Sequence, residues 1–420
     1  MVRSMVVTCL FLGYQSLGGH QLTYAVPEEQ GLSSEGMAKI SEWSAKYVEE
    51  GKLAGMVTLV ARRGDVVHFE AVGQRGSGDP RPLTRDALFR IYSMTKPVTS
   101  VAIMILIEDG ELGLDDPIVK YLPELASLTV LKEGERLPLV NPITVRHLLT
   151  HTAGFSYGWN PRDPVDALYA SVNPERAADS NDFLRRLSTL PLKFEPGKQW
   201  HYGVAVDVLG VLVERISGKP FNRFLHERLF EPLGMVDTFF NVPAAKLDRF
   251  LPNHVWDWRN RKLTMFTSSN DVEFNRVNFF SGGGGLVSTT ADYFRFAEML
   301  RRGGNLEGTR ILEVETVALM TRDHLPDIVP PVSNGVGRRA ILRRGRGFGL
   351  GFDVVVDTEN RRGAASIGDY SWSGIAGTFF WIDPVLDVVA MGMIQVLRSP
   401  LRLSTEMKNL VHGSLMTDEN

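Results

Sequence analysis

"FRIYSMTKPVTS", residues 89–100, sets a serine three residues before a lysine, with a proline next and an apolar run behind. Two readings compete for it. In one, Ser93 caps a helix, its oxygen accepting from the free N–H groups of the first turn, and Pro97 sits where no backbone donor is yet needed. In the other, Lys96 is there to take the proton of Ser93. Ser-x-x-Lys occurs once in the 420 residues. A chain of this serine and lysine content holds about one by chance, so the pair by itself does not choose.

The surroundings say more. From Val101 to Ile107 the segment is apolar on every side, which predicts a helix buried in the middle of the protein and stopped by Gly110. Upstream, "GLSSEGMAKISEWSAKYVEEGKL" (31–53) reads as a serine-capped helix ending near Gly51. "GMVTLVARRG" and "DVVHFEAVG" then read as two strands with 63–65 as the hairpin turn. Downstream, about 111–285 reads as helices joined by Pro- and Gly-rich loops, with "TVRHLLTHTAG" and "YGVAVDVLGVLVERISG" the clearest helices. After "SGGGG" (281–285) come a capped amphipathic helix, "TTADYFRFAEMLRRGG", and strands in "LRRGRGFGLGFDVVVD", "GTFFWIDP" and "DVVAMGMIQV". A last helix is expected over 403–415. This order predicts an α+β fold: an antiparallel sheet flanked by helices, plus a mostly helical lobe. The expected boundaries are a leader over 1–26, an α/β domain from 27–92 and 286–420, and a helical domain over 93–285. The active site is expected at the interface of the last two.

Composition is that of a globular chain: 44 % apolar, 23 % charged and a net charge of −3. Near-balanced charge offers no reason to expect nucleic acid or an anionic membrane as partner. The single cysteine, Cys9, excludes an internal disulfide framework and a cysteine-based zinc cluster. "MVRSMVVTCLFLGYQSLGG" is a thin signal-peptide pattern, and the cytoplasm is favoured over export.

Other candidate chemistry is weaker. "GFSYG" (154–158) fits the Gly-x-Ser-x-Gly pattern, but that elbow needs a strand in front and a helix behind. Ser156 has a helix-like segment before it and "GWNPRDP" after it. His147 and His151 stand four apart, as metal ligands on one helix face would, without the intervening Glu or a third ligand; they read as packing or hydrogen-bonding residues. "SGGGG" lacks the Lys-Ser/Thr of a phosphate loop, and "RRGRG" (343–347) reads as a solvated turn.

If Ser93 is a nucleophile, its hydroxyl must lose a proton to an adjacent base. A lysine three residues on shares its helix face. An ammonium ordinarily titrates at about 10.4, so a lysine serves as base only where burial or a cationic neighbour favours the neutral amine. A tyrosinate could share the work, which predicts a tyrosine brought in from the helical lobe.

"SMTKPVTS", "HLLTHTAGF", "FEPGKQWHYGVAVDVLG", "PLGMVDT", "SGGGGLVSTTADYFRF" and "WSGIAGTFFWIDP" occur in the order seen in the serine β-lactamase-like superfamily. Over about residue 27 to the C-terminus the chain resembles its esterase branch, the family VIII carboxylesterases, which are similar to class C β-lactamases. The resemblance implies a β-lactamase/penicillin-binding-protein-like fold. It implies that Ser93 is the acylated nucleophile and Lys96 its proton-handling partner. Tyr202 would be the second-motif tyrosine, candidate base and proton donor to the leaving alcohol. The N–H groups of Ser93 and Ile375 would form the oxyanion hole. Trp372, Ser373 and Gly374 stand where β-lactamases carry Lys-Thr-Gly and these esterases usually carry Trp-Gly-Gly.

Two departures favour neutral, hydrophobic esters over charged lactams. The β-lactamase Tyr-x-Asn is here Tyr202-Gly203-Val204, and valine cannot hydrogen-bond a lactam amide. Trp372 replaces a cation by an apolar wall. Phe155, Tyr157, Trp159 and Phe280 are candidates for the substrate pocket, with core packing the alternative for each. The expected activity is a serine esterase acting on a short-chain small-molecule ester, with no metal or organic cofactor; a homo-oligomer is left open. The rivals are a β-lactamase or D-Ala-D-Ala peptidase, an acyltransferase using a non-water acceptor, and a catalytically silent relative. The last would lack Ser, Lys or Tyr at the three positions.

Overall fold

The computed structural model describes residues 22–266, 274, 276–325, 345–359 and 363–416; Cys9, the expected leader up to residue 21 and part of "RRGRG" lie outside them. Eight strands form one antiparallel sheet. β1 (Gly55–Arg62), β2 (Asp65–Gly76) and β3 (Asp79–Pro82) come from the first part of the chain. β4 (Arg346–Phe348), β5 (Asp353–Val355), β6 (Tyr370–Ser373), β7 (Phe379–Asp383) and β8 (Val388–Met393) come from the last. The order is β4-β5-β6-β7-β8-β1-β2-β3, so β1 pairs with β8 across most of the sequence, Val57 opposite Met393 and Arg62 opposite Val388. The β1–β2 turn is the two residues Arg63 and Gly64, at φ 56° and 98°, the left-handed geometry that matches strand twist in a tight hairpin.

Alternation along the strands feeds two separate cores. Met56, Val60, Phe379 and Trp381 face α1 (Ser34–Glu49) and a C-terminal helix, through Met37, Ile40, Met407 and Val411. Their neighbours Val57, Leu59, Phe380 and Ile382 face the opposite way, into the larger core. Burial on both faces is why these strands read as continuous apolar runs. Residues 22–26 of the expected leader run beside β2, where Val66 N–H donates to Thr23 O at 2.8 Å and Ala25 N–H to Val66 O at 3.1 Å.

The larger core is shared with the helical layer. α2 (Thr95–Glu108) is buried from Thr95 to Leu106, and it packs on α6 (Ala205–Ser217), buried from Ala205 to Val213 and closed by a left-handed Gly218. Between them in sequence come α3 (Val145–Leu149), α4 (Pro164–Val172) and α5 (Ser180–Leu187). α7 (Thr290–Arg301), capped by Thr289, covers the inner face of the sheet, with Tyr293 5.0 Å from Phe380 between ring centres. α8 (Leu403–Gly413) packs beside α1.

The stretch 111–285 departs from the expected helices and loops in two hairpins, Thr129–Lys132 with Glu135–Pro138 and His254–Asp257 with Lys262–Met265. The second is completed by parallel pairing with Val396–Leu397, a partner too distant in sequence for local pattern to reveal. The helix expected in "TVRHLLTHTAG" is only five residues long, ending at Leu149, and His151 just beyond its cap turns the chain at φ 54°.

Candidate active site

The chain reaches Ser93 from a short strand, Phe89–Arg90, through Tyr92 at φ 44°. That is a costly conformation for an aromatic residue and persists only where neighbours over-determine it. Here Asn253 Nδ2 donates to the Tyr92 hydroxyl at 2.7 Å and Phe274 meets the ring edge-on at 6.1 Å. On the far side Tyr293 donates to Met94 O at 2.9 Å. The strand, strained turn and helix that are missing around Ser156 are thus present around Ser93.

The capping reading of Ser93 fails. Met94 occupies the N-cap of α2 and no side chain caps it. The Ser93 hydroxyl instead accepts from Lys96 Nζ at 3.3 Å. Lys96 is 1 % exposed. Such a group survives burial only when held by dipoles, rings or opposite charge. Its Nζ donates to Gly283 O at 2.6 Å and lies 4.6 Å from the Tyr202 ring centre and 5.2 Å from that of Tyr157. The Gly283 peptide is gripped from both ends, because its N–H donates to Asp207 Oδ1 at 3.0 Å. Ser281 also donates to that carboxylate. Burial raises the Asp207 carboxyl, while Lys96 and the Ser281 and Gly283 hydrogen bonds pull it down. Asp207 and the function of "SGGGG" are absent from the sequence reading; the signal was a glycine run before a capped helix, with an acid five residues after the motif tyrosine.

Tyr202 arrives on the segment leading into α6, as a distant tyrosine was required to. Its ring stands against the ammonium of Lys96, and its hydroxyl makes no hydrogen bond among the described residues. Around it lie His151 at 4.7 Å, Tyr157 at 5.3 Å, Trp372 at 5.6 Å and Trp159 at 5.8 Å between ring centres. Burial, then Lys96 and His201, push His151 well below its ordinary range and keep that ring neutral. Gly203 allows the approach: a methyl there would lie 2.3 Å from Phe155 O and 2.7 Å from Ser156 N. Gly203→Ala is therefore expected to destabilise the fold by about 1–3 kcal/mol and to displace Tyr202, read as a lower urea midpoint together with a lower esterase rate.

The end of β6 approaches the same turn. A methyl on Gly374 would lie 2.4 Å from Ile91 O, and Thr378 Oγ1 donates to that carbonyl at 3.3 Å. Neither Ser93 nor Ile375 donates its backbone N–H to another backbone group among the described residues. Among the described residues, Trp372 and Ser373 have a strand partner on the β7 side only. Trp372 is 6 % exposed and Ser373 is exposed. Of the aromatic candidates, Tyr157 and Trp159 stack at 4.9 Å and 11° beside Tyr202, and Trp159 is 52 % exposed. Phe280 is half-buried against Phe240 at 5.2 Å. Phe155, 1 % exposed, takes the core alternative, its carbonyl serving as the surface on which Gly203 rests.

Ser156 is buried in a polar cluster. It donates to Asp166 at 2.6 Å, accepts from Gly158 N–H at 3.2 Å and lies 3.3 Å from His201 Nε2. Lys193 clamps Asp166 at 2.7 Å. A buried serine whose hydroxyl donates to a carboxylate braces a loop. His147 spends Nδ1 accepting the Thr144 N–H at 3.2 Å in a capping box, so that nitrogen is committed to the backbone.

Serine hydrolases of the β-lactamase and penicillin-binding-protein fold are the class in which an antiparallel sheet and a helical layer meet over a serine just ahead of a helix whose first turn carries a lysine, and this chain is of that class. It belongs to the Beta-lactamase family, whose sequence model matches residues 40–409. Protein Rv1367c of Mycobacterium tuberculosis is 36 % identical over 359 residues, 83 % of this chain and 87 % of its own. Esterase EstB of Burkholderia gladioli is 32 % identical over 363 residues, 81 % of this chain and 85 % of its own. Among solved structures, EstCE1, a hydrolase with promiscuous acyltransferase activity, superposes with a TM-score of 0.77 at 26 % identity, covering 90 % of this chain and 99 % of that one.

Proposed function

We propose that the protein is an esterase that hydrolyses short-chain, neutral carboxylic esters through an acyl-enzyme on Ser93. Lys96 and Tyr202 take the serine proton as Oγ bonds to the ester carbonyl carbon. The resulting oxyanion is met by the N–H groups of Ser93 and Ile375, donors that act on charge only as it develops. Collapse breaks the bond to the alcohol oxygen, which receives its proton from Tyr202. Water then bonds to the acyl carbon as it gives a proton to the pair; the bond to Ser93 Oγ breaks, the acid departs and the pair returns that proton to Oγ.

The observation that carries this reading is Lys96 Nζ at 3.3 Å from Ser93 Oγ. The facing wall is Trp372 rather than a cation, and Val204 lies buried where an amide would be needed. Trp372, Ser373 and Gly374 form the substrate edge, with Tyr157, Trp159 and Phe280 as wall. EstB, an esterase by name, adds support. Two charge-assisted or polar contacts missing from a lactam's environment correspond to a discrimination of about hundredfold or more. The kcat/KM for p-nitrophenyl butyrate is accordingly expected to exceed that for a chromogenic cephalosporin by at least about that factor; preference for the lactam would overturn the substrate class.

Transfer to an alcohol shares the first half-reaction, and EstCE1 is a hydrolase with promiscuous acyltransferase activity. Product analysis of p-nitrophenyl butyrate turnover in the presence of butanol is expected to give butyrate as the main product. Butyl butyrate in excess would make the protein an acyltransferase.

A further inference from the structure

The buried Ser156 fixes the loop that follows it. Its Oγ accepts the Gly158 N–H at 3.2 Å and donates to Asp166 Oδ1 at 2.6 Å. The other oxygen of that carboxylate accepts the Asn160 N–H at 2.9 Å. Both chain neighbours of Trp159 are thus tied to one pair of side chains, 1 % and 3 % exposed. Lys193 holds Asp166 at 2.7 Å and Asp163, the cap of α4, at 2.8 Å. Gly158 also rests on α4, where a methyl would lie 2.6 Å from Ala170 N and 2.8 Å from Asp166 O. This mounting fixes a tryptophan that still leaves 52 % of its surface in solvent. Single exposed apolar residues are ordinary; one braced by a buried polar network beside a nucleophile calls for a ligand.

The ring geometry says where that ligand lies. Tyr157 and Trp159 stack at 4.9 Å and 11°. Tyr202 is 5.3 Å from the first ring centre and 5.8 Å from the second, distances that put it beside the stack and not on its outer end. Among the described residues no other ring meets Trp159, so its outer face is open next to the tyrosine. We propose that Trp159 is the stacking platform for the leaving alcohol and that the preferred esters are those of a neutral alcohol bearing a flat aromatic ring. Ser156 and Asp166 are its positioning residues. Placing the ring on the alcohol side rests on the esterase reading above, in which Tyr202 protonates the departing alcohol. A flat ring on a fixed indole gains the ring-on-ring attraction beyond the area it buries. Because the platform is already held in place, little freedom is lost on binding.

Benzyl butyrate and cyclohexylmethyl butyrate share a carbon skeleton and differ in having a flat or a puckered ring. Their kcat/KM ratio, followed by butyrate release and divided by the ratio of their hydroxide-catalysed hydrolysis rates, removes leaving-group reactivity and leaves the contact made by the ring. Burial by area does not favour the aromatic ester, since the saturated ring is the larger apolar group. Stacking is expected to raise the normalised ratio to about five in the wild type. Trp159→Leu, which keeps an apolar side chain at a half-exposed position, should bring it to one or below, and Trp159→Phe should keep most of it. Ser156→Ala, shown folded by circular dichroism, should lower it although the indole is still present, because the Gly158 N–H loses its acceptor. A loop that only supported the fold would slow both esters alike and leave the ratio in place. A wild-type ratio of one or less, or a ratio that Trp159→Leu or Ser156→Ala leaves unchanged, overturns the proposal. If p-nitrophenyl butyrate is still cleaved, the esterase reading survives that result. If every ester is inert, the reading falls and takes this proposal with it.

Discussion

Ser93→Ala is expected to lower kcat on p-nitrophenyl butyrate by about 10⁵-fold or more, and Lys96→Ala to cost nearly as much. Without Oγ there is no acyl-enzyme, and Lys96 has no nucleophile to serve; without the amine at 3.3 Å, the hydroxyl keeps its proton. The two act as a unit, so the double variant should be no slower than the worse single one, the non-additivity such pairs show. An active-site phosphonate should add its mass to the peptide containing Ser93 in the wild type and to none in Ser93→Ala. Mass on Ser156 would move the mechanism to the Gly-x-Ser-x-Gly loop. Lys96 is also buried beside Asp207, so circular dichroism and a urea titration must show Lys96→Ala folded before its rate is read.

Lys408→Ala is expected to remove about 3–5 kcal/mol of stability, the cost of stranding a buried charge. Lys408, on α8, is 2 % exposed and pairs with Asp369, which has no exposure at all. The ammonium also lies 5.3 Å from the ring centre of Trp381 on β7. The pair ties α8 to the residue immediately before β6, the strand that carries Trp372 and Ser373 to the site. A lower urea midpoint at unchanged slope is the expected result, and an unchanged midpoint would refute it. Replacing both partners by apolar residues, Lys408→Met with Asp369→Leu, should recover most of the loss. A desolvated ion pair contributes little over a packed hydrophobic one.

What could be read without coordinates was whatever neighbouring residues encode together. The all-round apolar run of α2, the serine cap of α1, the left-handed stop at Gly218 and the Arg63-Gly64 turn each lie within a few residues of their cause, and each stands as expected. The Ser93–Lys96 spacing is local too. It marks a candidate, and five further motifs in order place it in a family.

Only tertiary structure decided what lies around that candidate. Nothing near Tyr92 announces its left-handed φ; Asn253, Phe274 and Tyr293, all far along the chain, hold that turn. Gly283, 187 residues from Lys96, closes on its ammonium because α2, α6 and the glycine run share one core. Phe155 and Trp159 look alike as loop aromatics, yet one is sealed beneath Gly203 and the other faces solvent. Periodicity and caps are short-range and survive in the sequence, whereas the charge, burial and strain that make a serine reactive come from groups brought together by burying a common apolar surface.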